Sequence, residues 1–318
     1  MNGSECDPLT QRREVQCELP DSRLLLNKIT NDRLSRALDE ANQKRTCDRK
    51  DLERILLKYL GNASVGGIEI PIGPHEFEIN RGKAKYIREG IRRQSICSLG
   101  IKKRESIFKD LTVRESAATF VSLGALVRID NLAISSDKFT HFFAQGHDYL
   151  EVYRSKGSVC AALRWGKETE LGRKGMESTG VMSYGDLCAN YAGLNFWLAL
   201  TDPLDGHIAY CNGKWIQTRC FDWAAYITPG WDEGINVPCY KPGAIRHKIQ
   251  SRIGQLVAEG AIPHCPPLDR HRLEDLTKFY EPELLPWLIN PISLAYVAPS
   301  MNVNLSMERE TELMGASD

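Results

Sequence analysis

Between Ser135 and Leu200 the chain writes three helical segments in succession, and any fold it adopts must pack them against one another. The first, "SSDKFTHFFAQGHDYLEVYRS", spaces Phe139, Phe142, Phe143, Tyr149, Leu150 and Tyr153 at helical intervals, with Ser135 or Ser136 as its cap. The second, "VCAALRWGKETE", ends near Gly172. The third, "GDLCANYAGLNFWLAL", starts at Ser183 or Asp186. Bulky aromatic residues on short helices demand a shared core, because one amphipathic helix cannot hide such a face alone.

The flanking sequence adds helices and small hairpins. "DSRLLLNKITNDRLSRALDEANQ" and "DRKDLERILLKYLGN" have three- and four-residue apolar spacing, with Asp21 and Asp48 as N-caps and Gly61-Asn62 as a stop. "GGIEIPIGPHEFEIN" alternates around Gly73-Pro74 and reads as a hairpin. Residues Glu115 to Leu126 read as a buried helix and "VRIDNLAIS" as a short strand. "GHIAYCNGKWIQTRCFDW" is the clearest hairpin, since Asn212-Gly213 suits a two-residue primed turn. "ITPGWDEGINVPCYKP" is irregular, and "AIRHKIQSRIGQLVAEG" is an amphipathic helix. These elements predict a mainly α (α+β) fold: an accessory helical segment over residues 1–65, then a main α+β domain over 66–318 with a polar tail from about residue 300.

Charge and apolar runs narrow the function. With 41 basic and 41 acidic residues the formal net charge is zero, so whole-molecule attraction to nucleic acid or an anionic membrane is not indicated. A basic stretch from Arg81 to Arg104 reads either as a solvated helix face or as a patch for a polyanion, and it lacks interleaved aromatics for base stacking. The most apolar run, Ala117 to Val127, falls short of the roughly 18–20 residues of a membrane span. Ten dispersed cysteines without a CxxC pair predict a few disulfides in an oxidising compartment, one of them across the Cys211–Cys220 hairpin or to a neighbour. No signal peptide is visible in "MNGSECDPLTQRREVQ", so an extracytoplasmic, periplasmic or secreted, location implies another export route or a signal already removed.

Three constellations carry candidate chemistry. P-loop, GxGxxG, HExxH and GxSxG signatures are all absent, and no cofactor is called for. Asp137/His141 and His147/Glu151 each sit four apart on one helix, a spacing that suits either a metal-dependent hydrolase or a buried histidine bonded to its carboxylate. His141 and His147 are six apart and point in different directions, so no single metal takes both. In "ETELGRKGMESTGVMSYGD", Glu168 and Glu170 end a helix before a glycine-rich turn. A carboxyl kept protonated at such an element end, beside a polar wall, suits glycoside cleavage. Thr179, Ser183, Tyr184 and Asp186 supply the wall, and Asp186 or Glu177 the second carboxylate. In "DWAAYITPGWDEGIN", Trp223, Tyr226 and Trp231 can stack on sugar rings while Asp232 and Glu233 bind hydroxyls. The competing reading makes all these residues caps and aromatic core.

The combined pattern "DKFTHFF…E…G…TGVMSYGDLCANYAGLNFW" and "DWAAYITPGWDEGIN" resembles a family of exported bacterial proteins of unassigned activity, over roughly Leu126 to Asn236. Separately, a glutamate ending a helix, then a Gly- and Thr-containing hairpin and a further helix, is similar to the lysozyme-like muramidases. That likeness of arrangement implies Glu170 as general acid, with Glu168 its rival. It implies an exported, peptidoglycan-cleaving glycosidase, conceivable as an antibacterial effector, with a peptidoglycan-type glycan as partner. The alternatives are a non-enzymatic envelope protein and the metal-dependent hydrolase.

Overall fold

The computed structural model describes residues 5–60, 96–116, 123–172, 175–204 and 206–297. The hairpin expected around Gly73-Pro74, the stop at Gly61-Asn62, most of the basic stretch and the polar tail lie outside the described residues. Within them the architecture is mainly helical, with a few short antiparallel strands.

Helix α1 (Arg12–Glu18) precedes the long α2 (Arg23–Gln43) and α3 (Arg49–Leu60). Asp48 caps α3 as expected, its Oδ1 accepting from the Lys50 and Asp51 amides at 2.8 and 3.1 Å. At α2 the N-cap position belongs to Ser22, and Asp21 stands one residue earlier, accepting from the Arg23 amide. Strands β1 (Leu99–Gly100), β2 (Ala125–Ile129) and β3 (Leu132–Ser135) form an antiparallel sheet with Leu126 opposite Ser135 and Ile129 opposite Leu132. Two expectations change here. Ala125 and Leu126 are strand rather than helix, and "VRIDNLAIS" is two strands joined at Asp130. Asp130 adopts φ 51°, a left-handed conformation that aspartate tolerates better than most residues, so the chain reverses without a glycine.

Helix α4 begins at Lys138–Thr140, widens into a π turn over His141–Gln145 and continues as Gly146–Lys156. α5 (Val159–Leu171) is capped by Ser158, whose hydroxyl accepts from the Ala161 amide. After β4 (Val181–Met182), α6 (Tyr184–Ala199) is capped by Ser183. The hairpin of β5 (Ile208–Cys211) and β6 (Lys214–Gln217) turns at Asn212 and Gly213 with φ 51° and 78°, as its sequence predicts. β7 (Cys239–Tyr240) pairs with β4, so the turn after Glu170 is not a self-contained hairpin: its strand finds its partner some sixty positions on, with Val181 opposite Tyr240. Helices α7 (Ala244–Ala258), α8 (Arg270–Leu276), α9 (Leu285–Leu288) and α10 (Pro291–Val297) complete the described chain.

The three central helices pack as their aromatics require. α4 and α6 cross where Gly146 meets Gly193: a Cβ on Gly193 would lie 1.9 Å from the Phe142 carbonyl oxygen and 2.9 Å from the Gly146 Cα. Only a glycine permits that approach, and the carbonyl it accommodates belongs to the π turn. Phe139, Phe142, Phe143, Phe196, Phe221, Trp223 and Trp231 are fully buried, with edge-to-face contacts such as Phe142–Phe143 at 4.8 Å and 82°. Leu26, Leu34, Leu38, Leu52 and Leu56 of α2 and α3 join the same apolar cluster. A second cluster sets Ile245, Ile249 and Ile253 of α7 against Ile107, Phe108 and Val181.

The disulfides expected from the cysteine count do not form: all ten thiols are free. They lie on separate elements. Cys6 and Cys188 pack as small buried hydrophobes, and Cys211 and Cys220 are exposed without bridging the hairpin they flank. Among the described residues, no helix is long and apolar enough to cross a membrane.

Candidate functional site

The first residues of α4 and α6 meet around one buried ammonium. Lys138 is 1% exposed, and its Nζ lies 2.5 Å from Asp186 Oδ1, 2.9 Å from Glu233 Oε1 and 3.1 Å from Asp137 Oδ2. The Asp186 contact is an ion pair without hydrogen-bond alignment. Backbone geometry makes room for it: a Cβ on Gly185 would stand 2.9 Å from Lys138 Cε and 3.1 Å from Glu233 Cγ. The Ser183 hydroxyl accepts from the Asp186 amide at 3.0 Å, closing the α6 N-terminus, and donates to Glu233. Glu233 and Asp186 thus stand at a helix N-terminus, whose partial positive charge favours carboxylates. Cys6 Sγ donates to Glu233 at 3.7 Å, and the Ser135 hydroxyl donates to Asp137.

Histidine completes the cluster. His141 Nε2 is 3.2 Å from Asp186 Oδ2, and its Nδ1 is 3.1 Å from Asn190 Oδ1. Asp186 and Asn190 are four apart on α6, so they present their side chains on one face and bracket the imidazole from α4. Asn190 Nδ2 in turn reaches the Tyr149 hydroxyl at 3.4 Å and Gln145 Oε1 at 3.5 Å. The side chains of His141 and Asp186 keep 11% and 10% of their surface, against 1% for Lys138, so they form the reachable edge and the ammonium lies behind them.

Burial sets the charge states. It would weaken the Lys138 ammonium, but Asp137, Asp186 and Glu233 outweigh it and hold the lysine well above its ordinary range. Burial raises Asp186, Lys138 opposes, and Asp137 adds repulsion, leaving the carboxyl at about 6. Glu233 is likewise raised by burial and by its acidic neighbours. Asp137 goes the other way: burial is outweighed by Lys138, His141 and the Ser135 hydroxyl, and its carboxyl falls below the ordinary value. A further acid approaches from the N-terminal segment. Glu5 is half-buried and raised well above normal by desolvation, Glu233 and Asp186, against a hydrogen bond from Thr179.

The residues singled out in the sequence fall into three groups. Asp137, His141, Ser183, Asp186 and Glu233 belong to this cluster. Glu170, on the last turn of α5, is 3% exposed, whereas Glu168 and Glu177 are exposed. Glu170 and Asp186 both act electrostatically on the Tyr149 hydroxyl, whose pKa is pushed up by burial first and by these two acids after it. Thr179 is buried, its hydroxyl bonded to the Gly175 carbonyl at 3.0 Å. Tyr184 and Trp231 are core, and Asp232 pairs with Arg12 while accepting from the Ala133 and Gly234 amides at 2.9 and 3.0 Å. None of the three presents a face for stacking or binding at the surface. Lys138, Asn190, Glu5 and Cys6 were not singled out from sequence; a lysine inside an aromatic helix start was the available signal.

Two His–carboxylate groups among the described residues bring their ligand atoms within 4.8 Å: Asp137–His141–Asp186 and Glu53–His147–Glu151. Each already holds a cation. Lys138 Nζ occupies the first. In the second, Glu53 accepts from Arg49 at 2.8 Å and from Arg154 at 2.7 and 2.8 Å, with His147 3.7 Å away. Burial would raise Glu53, yet His147, Arg154 and Arg49 hold it far below the ordinary carboxylate range. Neither donor set fits an added metal ion, since an ammonium or guanidinium supplies the positive charge.

The fold and site define a mainly helical α+β protein built around a buried lysine–carboxylate–histidine cluster. No family model, curated protein or solved structure matches the chain.

Proposed function

We propose that the chain is an exported glycoside hydrolase of lysozyme-like arrangement that cleaves a peptidoglycan-type glycan. The observation that carries the reading is a pair of buried carboxyl groups, Glu170 and Asp186, on successive helices and both acting electrostatically on the Tyr149 hydroxyl. Glu170 gives its proton to the glycosidic oxygen as the C–O bond breaks. Water attacks the anomeric carbon, and its proton passes to Asp186, which is ionised above about pH 6. The local element order supports the assignment of Glu170: helix end, turn, a short strand, capped helix. Exposure removes Glu168 and Glu177 from the inner pair and leaves Asp186 as the second carboxylate. Action on a cell wall places the protein outside the cytoplasm, where it serves as an antibacterial effector.

The test incubates purified protein with peptidoglycan sacculi and reads released muropeptides. The unaltered protein should release them, and Glu170→Gln should lower the rate by about a hundredfold or more, the usual scale for losing a general acid. Sacculi bound but not cut would support a non-enzymatic envelope protein. A protein that neither binds nor cuts sacculi would overturn the reading.

A further inference from the structure

We propose that His141 and Asp186 hold one proton between them and act as a single unit, with Asn190 fixing the imidazole tautomer. Asn190 Oδ1 can only accept, so at 3.1 Å it requires the proton on His141 Nδ1. The opposite amide orientation would turn Nδ2 away from the Tyr149 hydroxyl and Gln145 Oε1, both of which it reaches as placed. Nε2 then faces Asp186 Oδ2 at 3.2 Å, and that contact needs exactly one proton in either of two forms. Either imidazolium donates to carboxylate, or the carboxylic acid donates to neutral imidazole. The two forms differ only by movement of that proton between Nε2 and Oδ2.

The acidic groups around the pair favour keeping it, and the Lys138 ammonium opposes them. From α4 come Asp137 and Lys138; from the segment after Trp231, Glu233; from the N-terminal segment, Glu5, with the Cys6 thiol against Glu233; from α6 itself, the Cys188 thiol; and Glu170, at the end of α5, acts on the Tyr149 hydroxyl that Asn190 reaches. Three carboxylates face one ammonium at Lys138 itself, so the cluster has surplus negative charge that a bound proton reduces. His141 and Asp186 keep more side-chain exposure, 11% and 10%, than Asp137, Glu233 or Lys138.

The inference deepens the glycosidase reading, in which Asp186 receives the water's proton. His141 is then a positioning residue: it hands Asp186 an acceptor geometry and sets the pH at which the oxygen is free. It touches neither the sugar nor the bond that breaks.

The experiment uses the full chain labelled with 15N-histidine, titrated from about pH 5 to about pH 9 with His141 assigned by its loss in His141→Gln. Nδ1 should carry hydrogen throughout, and Nε2 should show one transition. Asp186→Asn should move that transition by about one pH unit or more, a tenfold change in proton affinity. An unprotonated Nδ1, or a His141 transition that Asp186→Asn leaves in place, overturns the proposal. This spectroscopic arm does not depend on catalysis. If sacculi are not cleaved but the coupled transition appears, the glycosidase reading fails and the proton pair stands. Where cleavage occurs, His141→Gln should shift the acidic limb of the kcat profile while KM stays within about twofold. An unshifted limb there removes the positioning role.

Discussion

Lys138→Met tests the energetics of the buried cluster most directly. Methionine keeps the aliphatic length that passes Gly185 and removes only the charge, so packing changes little. What remains is three carboxyls, Asp137, Asp186 and Glu233, with no cation 2.5 to 3.1 Å away. Removing one partner from a buried ion cluster costs about 3–5 kcal/mol. The variant can recover part of that by binding protons, which raises the folded-state pKa of the acids above their unfolded values. A raised pKa contributes stability below the unfolded value that is lost as pH climbs through the folded one. In the unaltered protein this loss involves Asp186, between its ordinary value and about 6, and Glu233 and Glu5, both also raised, add to it. The variant should keep one or two protons to higher pH, and its stability should fall by about 1.4–2.8 kcal/mol per pH unit in that range. Urea denaturation at several values from about pH 5 to about pH 8 measures both curves. They should converge toward low pH and diverge toward high pH. Parallel curves, or a loss below about 1 kcal/mol throughout, would refute the claim that the ammonium holds three ionisable acids together.

Two further outcomes follow from the packing and the thiols. Gly193→Ala should destabilise by at least about 1–3 kcal/mol in the same assay, because its Cβ would meet the Phe142 carbonyl at 1.9 Å and backbone cannot yield cheaply. Thiol labelling read by mass spectrometry should modify the exposed Cys17, Cys47, Cys97, Cys211, Cys220 and Cys265 in the folded protein and reach Cys6 and Cys188 only on unfolding, with no change in melting temperature on adding reductant.

The helices were legible because their signals are local. Ser158 and Ser183 both cap where a polar residue precedes apolar periodicity, and Asn212-Gly213 supplies both positive φ values of its turn. The misread elements depend on distant chain. Leu126 belongs to a strand because Ser135 pairs with it, and β4 exists only because Cys239–Tyr240 lies alongside. The π turn at His141 is fixed by a glycine on another helix. Cysteine number misled for a related reason: bridging requires spatial pairs, and an even count of thiols says nothing about which elements meet.

The same limit governed the site, where the decisive quantity is the number of cations around each carboxylate. Glu53 and Asp186 are both buried and both face a histidine. Glu53 has two guanidinium groups within hydrogen-bond distance and is held ionised far below its ordinary value. Asp186 shares a single ammonium with two other acids and is pushed up to about 6. Sequence spacing selected His147 and Glu151 as readily as Asp137 and His141, since both are four apart. Three-dimensional charge counting separates them: in the first group the Glu53 carboxyl is held ionised across the neutral range by two guanidinium groups, so it can hold helices together but does not exchange a proton. The second is poised where a proton moves at little cost, which is what acid–base chemistry requires of a side chain.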